Sequence, residues 1–254
     1  MRLLALSVAA FCCVAAPAHA QGSPETFHLE AGLMLWKPAP DVVLTSGTLG
    51  TPVDFVNTFE VEKKRFRDFR VVLKPGRKHK IRFGSTPIKY DGTATLTQTI
   101  RFRGQSYSVG VPTTAELKWT LIRIGYEWDP IATNMGFVGV FTDLKYNRMN
   151  AQLTAPLVVT QTFERNVAVP TIGGIVRGYV SPNISATAEF TGLKFDRNDF
   201  NAKFYDFDLY GTANFGRSFG LQLGYRSVTV DYIIESDVGD LKLKGLYWGA
   251  VTRF

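Results

Sequence analysis

Cysteine and histidine are scarce in this 254-residue sequence, which contains two cysteines and three histidines. Cys12 and Cys13 are adjacent and lie close to the N-terminus, so the sequence has no disulfide framework and no spaced cysteines for a metal site. Charged residues make up 20% of the chain and hydrophobic residues 45%. This balance is too apolar for a disordered chain and too charged for a helical membrane protein. The length fits one large domain or two small ones.

Residues 1–20 have the pattern of a secretory signal peptide. Arg2 forms a short positive segment, residues 3–15 are mainly apolar, and Ala18-His19-Ala20 has the small-x-small pattern of a cleavage site. We predict cleavage before Gln21, which leaves a mature chain without cysteine. An N-terminal membrane anchor is the alternative, but the apolar stretch is too short for one. The bulky residues before the two cysteines disfavour a lipoprotein signal.

The rest of the sequence lacks both long apolar runs and helical periodicity. Its most apolar run, residues 167–176, is short and contains Pro170, Gly173 and Gly174. A membrane helix needs about 20 apolar residues, so no later segment predicts one. What recurs is a period of two, which predicts β-strands.

The alternation is clearest in residues 204–215, where Tyr205 and Phe207 share one face and Asp206 and Asp208 share the other. We predict an all-β fold in which residues 21–254 form a single closed antiparallel transmembrane β-barrel of about ten strands. The predicted strands lie near 27–37, 66–74, 79–103, 105–128, 136–148, 168–180, 184–196, 202–215, 219–234 and 240–254. Segment 91–114 reads as a hairpin around Arg103-Gly104 that extends the third and fourth strands. The count becomes twelve if this segment crosses the membrane, and eight if one of the predicted crossings is wrong.

Three features favour a membrane barrel over a soluble β-sandwich. Tight turns alternate with other connections, of which 38–65 and 148–167 are long, as in barrels with short periplasmic turns. The chain ends on an alternating strand. Aromatic residues gather near the predicted strand ends, as they do in interfacial girdles; they are Trp36, Tyr90, Tyr126, Trp128, Tyr146, Tyr179, Phe215, Phe219 and Tyr247.

With these features the sequence resembles small bacterial outer-membrane β-barrel proteins of the OmpA-like and OmpW-like porin class. The resemblance rests on the signal peptide, on the alternating strands across 27–254, and on the last strand, GLYWGAVTRF. It implies a Gram-negative outer membrane as the location, with outer-membrane lipid and lipopolysaccharide as neighbours. It also implies that Phe254 is the signal read by the barrel-assembly machinery. Thr252 departs from the class, which usually has an aromatic or apolar residue there.

Strand parity predicts a charged lumen that contains both signs. The predicted lumen charges are Glu30, Asp68, Arg70, Arg82, Arg123, Glu127, Asp143, Lys145, Arg177, Glu189, Asp206 and Asp208, together with Arg226. Mixed charges in a narrow barrel favour a paired plug, because an unpaired buried charge is costly. The alternative is a polar pathway with a selectivity charge, although a pore would need one sign at its constriction.

Two basic clusters are candidate surface sites. Lys63, Lys64, Arg65 and Arg67 are predicted at the outer end, where they could contact lipopolysaccharide phosphates or form a solvated rim. The segment 77–80, Arg-Lys-His-Lys, is predicted in the first periplasmic turn. Both clusters are short and the chain leaves the cytoplasm, so nucleic-acid binding is not expected.

No catalytic residue, metal site or cofactor is predicted. The known enzymes on small barrels use a histidine, and the mature chain has only His28 and His79, both expected at the periplasmic end. We therefore predict a non-enzymatic, porin-like or structural protein whose narrow charged lumen passes small solutes at most. A surface-interaction protein acting through the loops 38–65 and 148–167 is the alternative, and an outer-leaflet enzyme comes third. The sequence does not predict an oligomeric state.

Overall fold

A computed structural model describes residues 26–45, 50–156, 158–197, 200–234 and 237–254. The predicted signal peptide lies outside the described residues. Within them, no helix is long and apolar enough to cross a membrane.

The described residues form fourteen strands and one short helix. In chain order they are β1 (Leu29–Trp36), β2 (Ala39–Thr45), β3 (Val53–Asp54), α1 (Phe55–Phe59), β4 (Phe66–Gly76), β5 (His79–Thr95), β6 (Ile100–Phe102), β7 (Gln105–Tyr107), β8 (Pro112–Thr133), β9 (Gly136–Ala155), β10 (Val158–Ser181), β11 (Ile184–Arg197), β12 (Phe200–Phe215), β13 (Phe219–Ile234) and β14 (Asp237–Arg253).

Ten of these strands form a closed antiparallel ring in the order β1-β4-β5-β8-β9-β10-β11-β12-β13-β14. The ring closes where β1 pairs with β14, from Glu30 opposite Arg253 to Trp36 opposite Tyr247. Closure leaves no open sheet edge at the seam. In lipid, each unpaired backbone group of an open edge would cost several kcal/mol. The predicted ten-stranded barrel is therefore confirmed.

The two ends of the barrel differ. We call the lower end the one that holds residues 26 and 254 and the tight connections after β4, β8, β10 and β12. At the opposite, upper end, strands β8, β9 and β10 extend to 22, 20 and 24 residues. A tilted strand needs about 9–11 residues to cross a membrane, so these strands project well beyond the upper side of an apolar layer.

Two sequence predictions about connections require correction. The segment 148–167 is not a loop, because β9 and β10 continue as a paired ladder to Ala155 opposite Val158. Segment 91–114 does turn at Arg103-Gly104, with φ of 53° and 80°. However, β6 and β7 form a separate two-stranded sheet and do not extend β5 and β8. The left-handed backbone explains the Gly104 position, since glycine adopts positive φ without steric cost.

In the segment 38–65, β2 extends the wall and residues 50–65, the mouth segment, fold over the upper mouth of the barrel. β2 pairs with β14 and β3 pairs with β2. Asp54 caps α1, its Oδ1 accepting hydrogen bonds from the backbone N–H groups of Val56 and Asn57 at 3.0 and 2.9 Å. Phe55 and Phe59 are buried beneath this turn. Gly92 allows α1 to pack closely against β5, because a Cβ at this position would lie 2.2 Å from the Phe59 carbonyl oxygen.

The interior has two halves of different chemistry. The upper half is an apolar core built from residues of the wall, the mouth segment and the β6–β7 hairpin, including Phe59, Phe102, Trp119, Leu153 and Leu241. The lower half contains most of the buried charges. β13 keeps a single parity from Gln222 to Tyr232, which places Arg226 on the inward face.

Four of the aromatic residues predicted in an interfacial girdle lie on the inward face, and one of them, Tyr179, is half-buried opposite Ser185 at the lower end. Trp36, Tyr90 and Tyr247 are almost fully buried, and the Trp36 indole N–H donates to the Gly245 carbonyl at 3.1 Å. Tyr126 and Trp128 are exposed on the outer wall near the lower end. An aromatic residue near a strand end fits either face, so its position along the sequence alone did not distinguish them.

Candidate functional site

The lumen of the lower half is the largest concentration of charged groups in the barrel. The structure places all of the predicted lumen charges on the inward face, and each is buried or nearly so. Strand alternation explains their position, because residues two apart share a face. Four further charged residues join them, and sequence reasoning did not include them: Lys74, Lys80, Asp129 and Arg253.

Arg226 of β13 lies at the centre of one network. Its guanidinium donates to both carboxylate oxygens of Asp206, at 3.0 and 2.9 Å. It also reaches Asp68 at 3.4 Å and the Thr86 hydroxyl at 3.3 Å. Lys145 donates to Asp206 at 2.8 Å from the other side. This network ties β4, β5, β9, β12 and β13 together across the barrel.

A second network surrounds Arg82 of β5. Arg82 donates to Glu127 at 3.0 Å and to Glu189 at 2.5 Å. Lys80 pairs with Glu127 and with Asp129, each at 2.9 Å. Lys80 was predicted in the periplasmic turn, but it points into the lumen, because it starts the inward face of β5.

Arg70 and two buried tyrosines extend the two networks. Arg70 pairs with Asp68 at 2.7 Å and with Asp208 at 2.8 Å, which adds it to the Arg226 network. The Tyr247 hydroxyl donates to Asp208 at 2.7 Å. In the Arg82 network, the Tyr210 hydroxyl donates to Glu189 at 2.8 Å. Most charges of the lower lumen therefore have an opposite partner.

Not every charge in the lumen is paired. Both carboxylate oxygens of Asp143 are buried and have no hydrogen-bond partner among the described residues. Arg123 is buried and makes no ion pair among those residues. It lies beside Gly84 and, with Arg82 and Glu127, it lines a cavity of about 560 Å³ in the lower lumen. Met34, which belongs to the apolar core, also lines this cavity.

The outer wall has a wide apolar band. On each wall strand, the outward residues of this band carry no charge in the described part of the chain; on β9 they span residues 138–146. This length is close to the 9–11 residues that a tilted transmembrane strand needs. Exposed Ile122, Val140 and Leu223 illustrate the band. A large exposed apolar surface of this kind marks a membrane or protein contact.

A basic belt borders the apolar band on its upper side. On eight of the ten wall strands, counting the residue directly after β1, the first outward residue above the band is Lys or Arg. The basic belt consists of Lys37, Arg67, Lys89, Lys118, Arg148, Lys194, Lys203 and Lys244. The prediction from sequence included only Arg67. Strand parity and the first charge after each apolar stretch were the signals that could have identified the others.

The other predicted basic residues lie at the rims. Lys63 and Arg65 are exposed before β4, and Lys64 pairs with Asp91 at 2.6 Å. Arg77 and Lys78 are exposed in the lower turn.

One group above the band has an altered acidity. The Glu116 carboxylate accepts hydrogen bonds from Lys118 and Lys89, each at 2.5 Å. These two ammonium groups lower the pKa of Glu116. Glu116 therefore stays ionised to a lower pH than an unpaired glutamate and holds two belt lysines in place.

The two histidines lie at the lower end, as expected from the sequence. His28 is within 3.3 Å of the Lys74 carbonyl oxygen, and His79 is 2.5 Å from the Tyr126 hydroxyl. Neither histidine is near a serine–carboxylate pair that would suggest a nucleophile, among the residues that the structure describes. Those residues also contain no group of three side chains suited to a metal ion.

No protein-family model matches the chain, and no curated protein matches it in sequence. Among solved structures, the outer membrane protease OmpT from Escherichia coli is similar with a TM-score of 0.60 and 8% identity, over 91% of this chain and 100% of that one. The chain has the fold of a bacterial outer-membrane β-barrel protein. At this identity the likeness concerns the fold alone, so the activity of OmpT is not transferred.

Two further barrels match with lower scores. Ail of Yersinia pestis matches with a TM-score of 0.38 and 11% identity, over 89% of this chain and 99% of that one. The translocator domain of the autotransporter NalP from Neisseria meningitidis matches with a TM-score of 0.48 and 9% identity, over 91% and 90%.

Proposed function

We propose that this protein is an integral outer-membrane barrel that is closed to solutes and acts through its structure and its outer surface. The observation that carries the proposal is the filled interior. Ion pairs occupy the lower lumen, and an apolar core with the mouth segment 50–65 occupies the upper half. A pore would need a continuous wet path, lined at its constriction by one sign of charge.

The apolar band supports the membrane location. A water-soluble sandwich would place polar residues on its outer face. Here the charged residues face inward and the outward residues of the band are uncharged. In this placement the lower end faces the periplasm and the long strands project from the cell. The cleaved signal peptide and the assembly role of Phe254 belong to the same proposal; Phe254 itself is exposed at the lower end.

We assign the basic belt to the phosphates of the outer-leaflet lipopolysaccharide. Lys37, Arg67 and Lys244 are exposed on adjacent strands and make no ion pair among the described residues. Arg67 is opposite Leu35 and Lys244 is opposite Ala39, so Lys37 is a diagonal neighbour of both. Diagonal neighbours lie about 7–8 Å apart, and clustered like charges are unfavourable unless an anion lies among them.

Lipopolysaccharide binding is testable with matched triple variants. The variant Lys37→Gln/Arg67→Gln/Lys244→Gln removes belt charges, and Arg77→Gln/Lys78→Gln/Arg217→Gln removes the same number at the lower end. We expect the belt variant to bind lipopolysaccharide vesicles at least about tenfold more weakly, since a charge-assisted hydrogen bond contributes about 1.5–3 kcal/mol. The control should bind normally. Equal binding by the two variants, or equal binding of a phosphate-free glycolipid, would contradict the assignment.

A porin-like passage is the second candidate, and the 560 Å³ cavity beside Arg123 is the observation that favours it. Planar-bilayer recordings distinguish the candidates. The closed barrel predicts no conductance steps from protein whose folding is verified by heat-modifiable gel mobility. Stable steps whose ion selectivity changes in Arg123→Glu would support the passage.

Interaction with another protein through the upper end is the remaining alternative. The exposed parts of the mouth segment and the projecting hairpin of β9 and β10 would form that surface. Deleting residues 40–60 should then abolish partner binding while the barrel remains folded. An outer-leaflet enzyme would change lipid A or phospholipid mass in reconstituted membranes, and we expect no such change.

A further inference from the structure

The upper wall of the barrel is open between β10 and β11. β10 pairs with β9 from Val158 onward, whereas its ladder with β11 begins only at Ile172 opposite Gly192. Pro170 lies two residues beyond that last pair and has no N–H to donate, which is typical of a strand edge. Above Gly192, β11 continues its pairing with β12 alone. In the described residues, one edge of β10 is therefore unpaired over 158–171.

An apolar cavity lies behind this opening, and part of its roughly 500 Å³ of free space is open to the surroundings. Apart from Lys203 of the outer wall, its lining comes from inward residues of β9, β10, β12 and β13, and β11 contributes none among the described residues. The lining is mainly aliphatic and aromatic: Met149, Val167, Val169, Phe204, Val230 and Tyr232. Sites for small molecules are mostly apolar, with few polar groups. The lining fits this description.

Two charged residues line the cavity, Lys203 of the basic belt and Arg165 of β10. One terminal nitrogen of the Arg165 guanidinium donates to Asp237 at 2.6 Å. The Nε–H of the same guanidinium is buried and has no acceptor among the described residues. A buried donor without a partner carries a desolvation cost, which an anionic group of a ligand would remove.

We propose that this cavity binds a small amphipathic molecule with one carboxylate, of the fatty-acid class, that enters sideways between β10 and β11. The carboxylate accepts from Arg165 and the alkyl chain lies among the apolar lining. The opening begins next to the belt residue Lys194, at the level where lipid headgroups meet the wall. This binding site goes beyond the proposed closed barrel, because the ligand does not pass through the lumen.

Photo-crosslinking in phospholipid vesicles tests the proposal. The probe is a medium-chain fatty acid that carries a diazirine, and mass spectrometry of the refolded mature barrel maps the modified residues. We expect saturable labelling at 167–169, 202–204 and 230–232, which an excess of unlabelled dodecanoate prevents. Labelling of the lipid-facing residues 138–146 should not saturate and serves as the internal control. Labelling confined to the lipid-facing band would overturn the proposal.

Variants separate the cavity from the surrounding lipid. Val230→Phe should fill the cavity and abolish its labelling, whereas Val140→Phe on the lipid-facing wall should leave it unchanged. If Val230→Phe fails to show the heat-modifiable shift of a folded barrel, Val169→Phe replaces it. Unchanged cavity labelling in a folded filling variant would contradict the site, and the wild-type competition result is decisive even if neither variant folds.

The headgroup assignment has its own test. Arg165→Gln should weaken labelling by the acid probe about tenfold, the loss expected for one charge-assisted hydrogen bond. A diazirine probe that ends in an alcohol should label wild type and variant equally. An equal loss for acid and alcohol would refute the role of Arg165 in recognising the carboxylate.

Discussion

Replacing Arg226 by methionine should destabilise the barrel more than any exposed charge substitution. Methionine keeps much of the side-chain length but removes four hydrogen bonds, to Asp206, Asp68 and Thr86. Arg226 is 1% exposed, so water does not replace the lost partners. The two carboxylates would remain in the lumen without their shared cation.

The magnitude follows from the remaining partners. Breaking a buried ion pair by removing one member costs about 3–5 kcal/mol. Asp206 keeps Lys145 at 2.8 Å and Asp68 keeps Arg70 at 2.7 Å. We therefore expect the lower end of this range, about 3 kcal/mol, which is more than a hundredfold in the unfolding equilibrium. The stability of Arg226→Lys should lie between those of the wild type and Arg226→Met, because lysine keeps the charge but not the forked geometry.

Urea unfolding in phospholipid vesicles, followed by tryptophan fluorescence, measures this change. Arg67→Met is the matched control, since Arg67 is exposed on the outer wall and makes no ion pair among the described residues. Its substitution should alter the free energy of unfolding by less than about 1 kcal/mol. If Arg226→Met were no less stable than Arg67→Met, the lumen network would not be what holds the interior together.

Two further predictions concern the upper end. Gly92→Ala should lower the free energy of unfolding by about 1–3 kcal/mol and expose segment 50–65 to protease, because the new Cβ would lie 2.2 Å from the Phe59 carbonyl oxygen. Gly178→Ala is the control, since a Cβ there has nothing within 4 Å. Equal protease resistance of the two variants would argue against a packed mouth segment. Because the pKa of Glu116 is lowered on folding, its ion pairs stabilise the barrel fully above the unfolded-state pKa, and this effect is lost as pH falls through the folded-state pKa. Glu116→Gln should therefore lower stability slightly at neutral pH and not at acidic pH, as measured by urea titrations at both; a pH-independent difference would rule out the carboxylate charge as the cause.

The strands of the lower half were predictable because their two faces differ in kind. In residues 205–215 every second residue is polar, so parity alone assigns Asp206 and Asp208 to the inside. The same rule fails in the upper half, where inward residues such as Met149 and Phe204 are as apolar as those of the lipid-facing wall. The apolar core and the mouth segment depend on contacts distant in sequence, which periodicity does not report.

Which charged residues pair with each other could not be predicted from the sequence either. Parity placed Arg226 and Asp68 inside the barrel, but only the closure of the ring brings β13 within reach of β4, with β14 and β1 between them. The opening beside β10 likewise depends on where a ladder ends. Pro170 indicates an interruption of strand pairing, but a proline also fits a turn. The sequence does not predict which of the two neighbouring strands stops pairing with β10.

The most direct test of the account is a single-cysteine scan along β9 in lipid vesicles. The predicted mature chain has no cysteine, so each substitution from 138 to 146 reports alone. Spin labels at even positions should contact lipid and be quenched by oxygen, whereas odd positions should be buried and shielded from both oxygen and water-soluble nickel reagents. Water access at the even positions would contradict the membrane barrel and would favour a soluble β-protein with the same alternation.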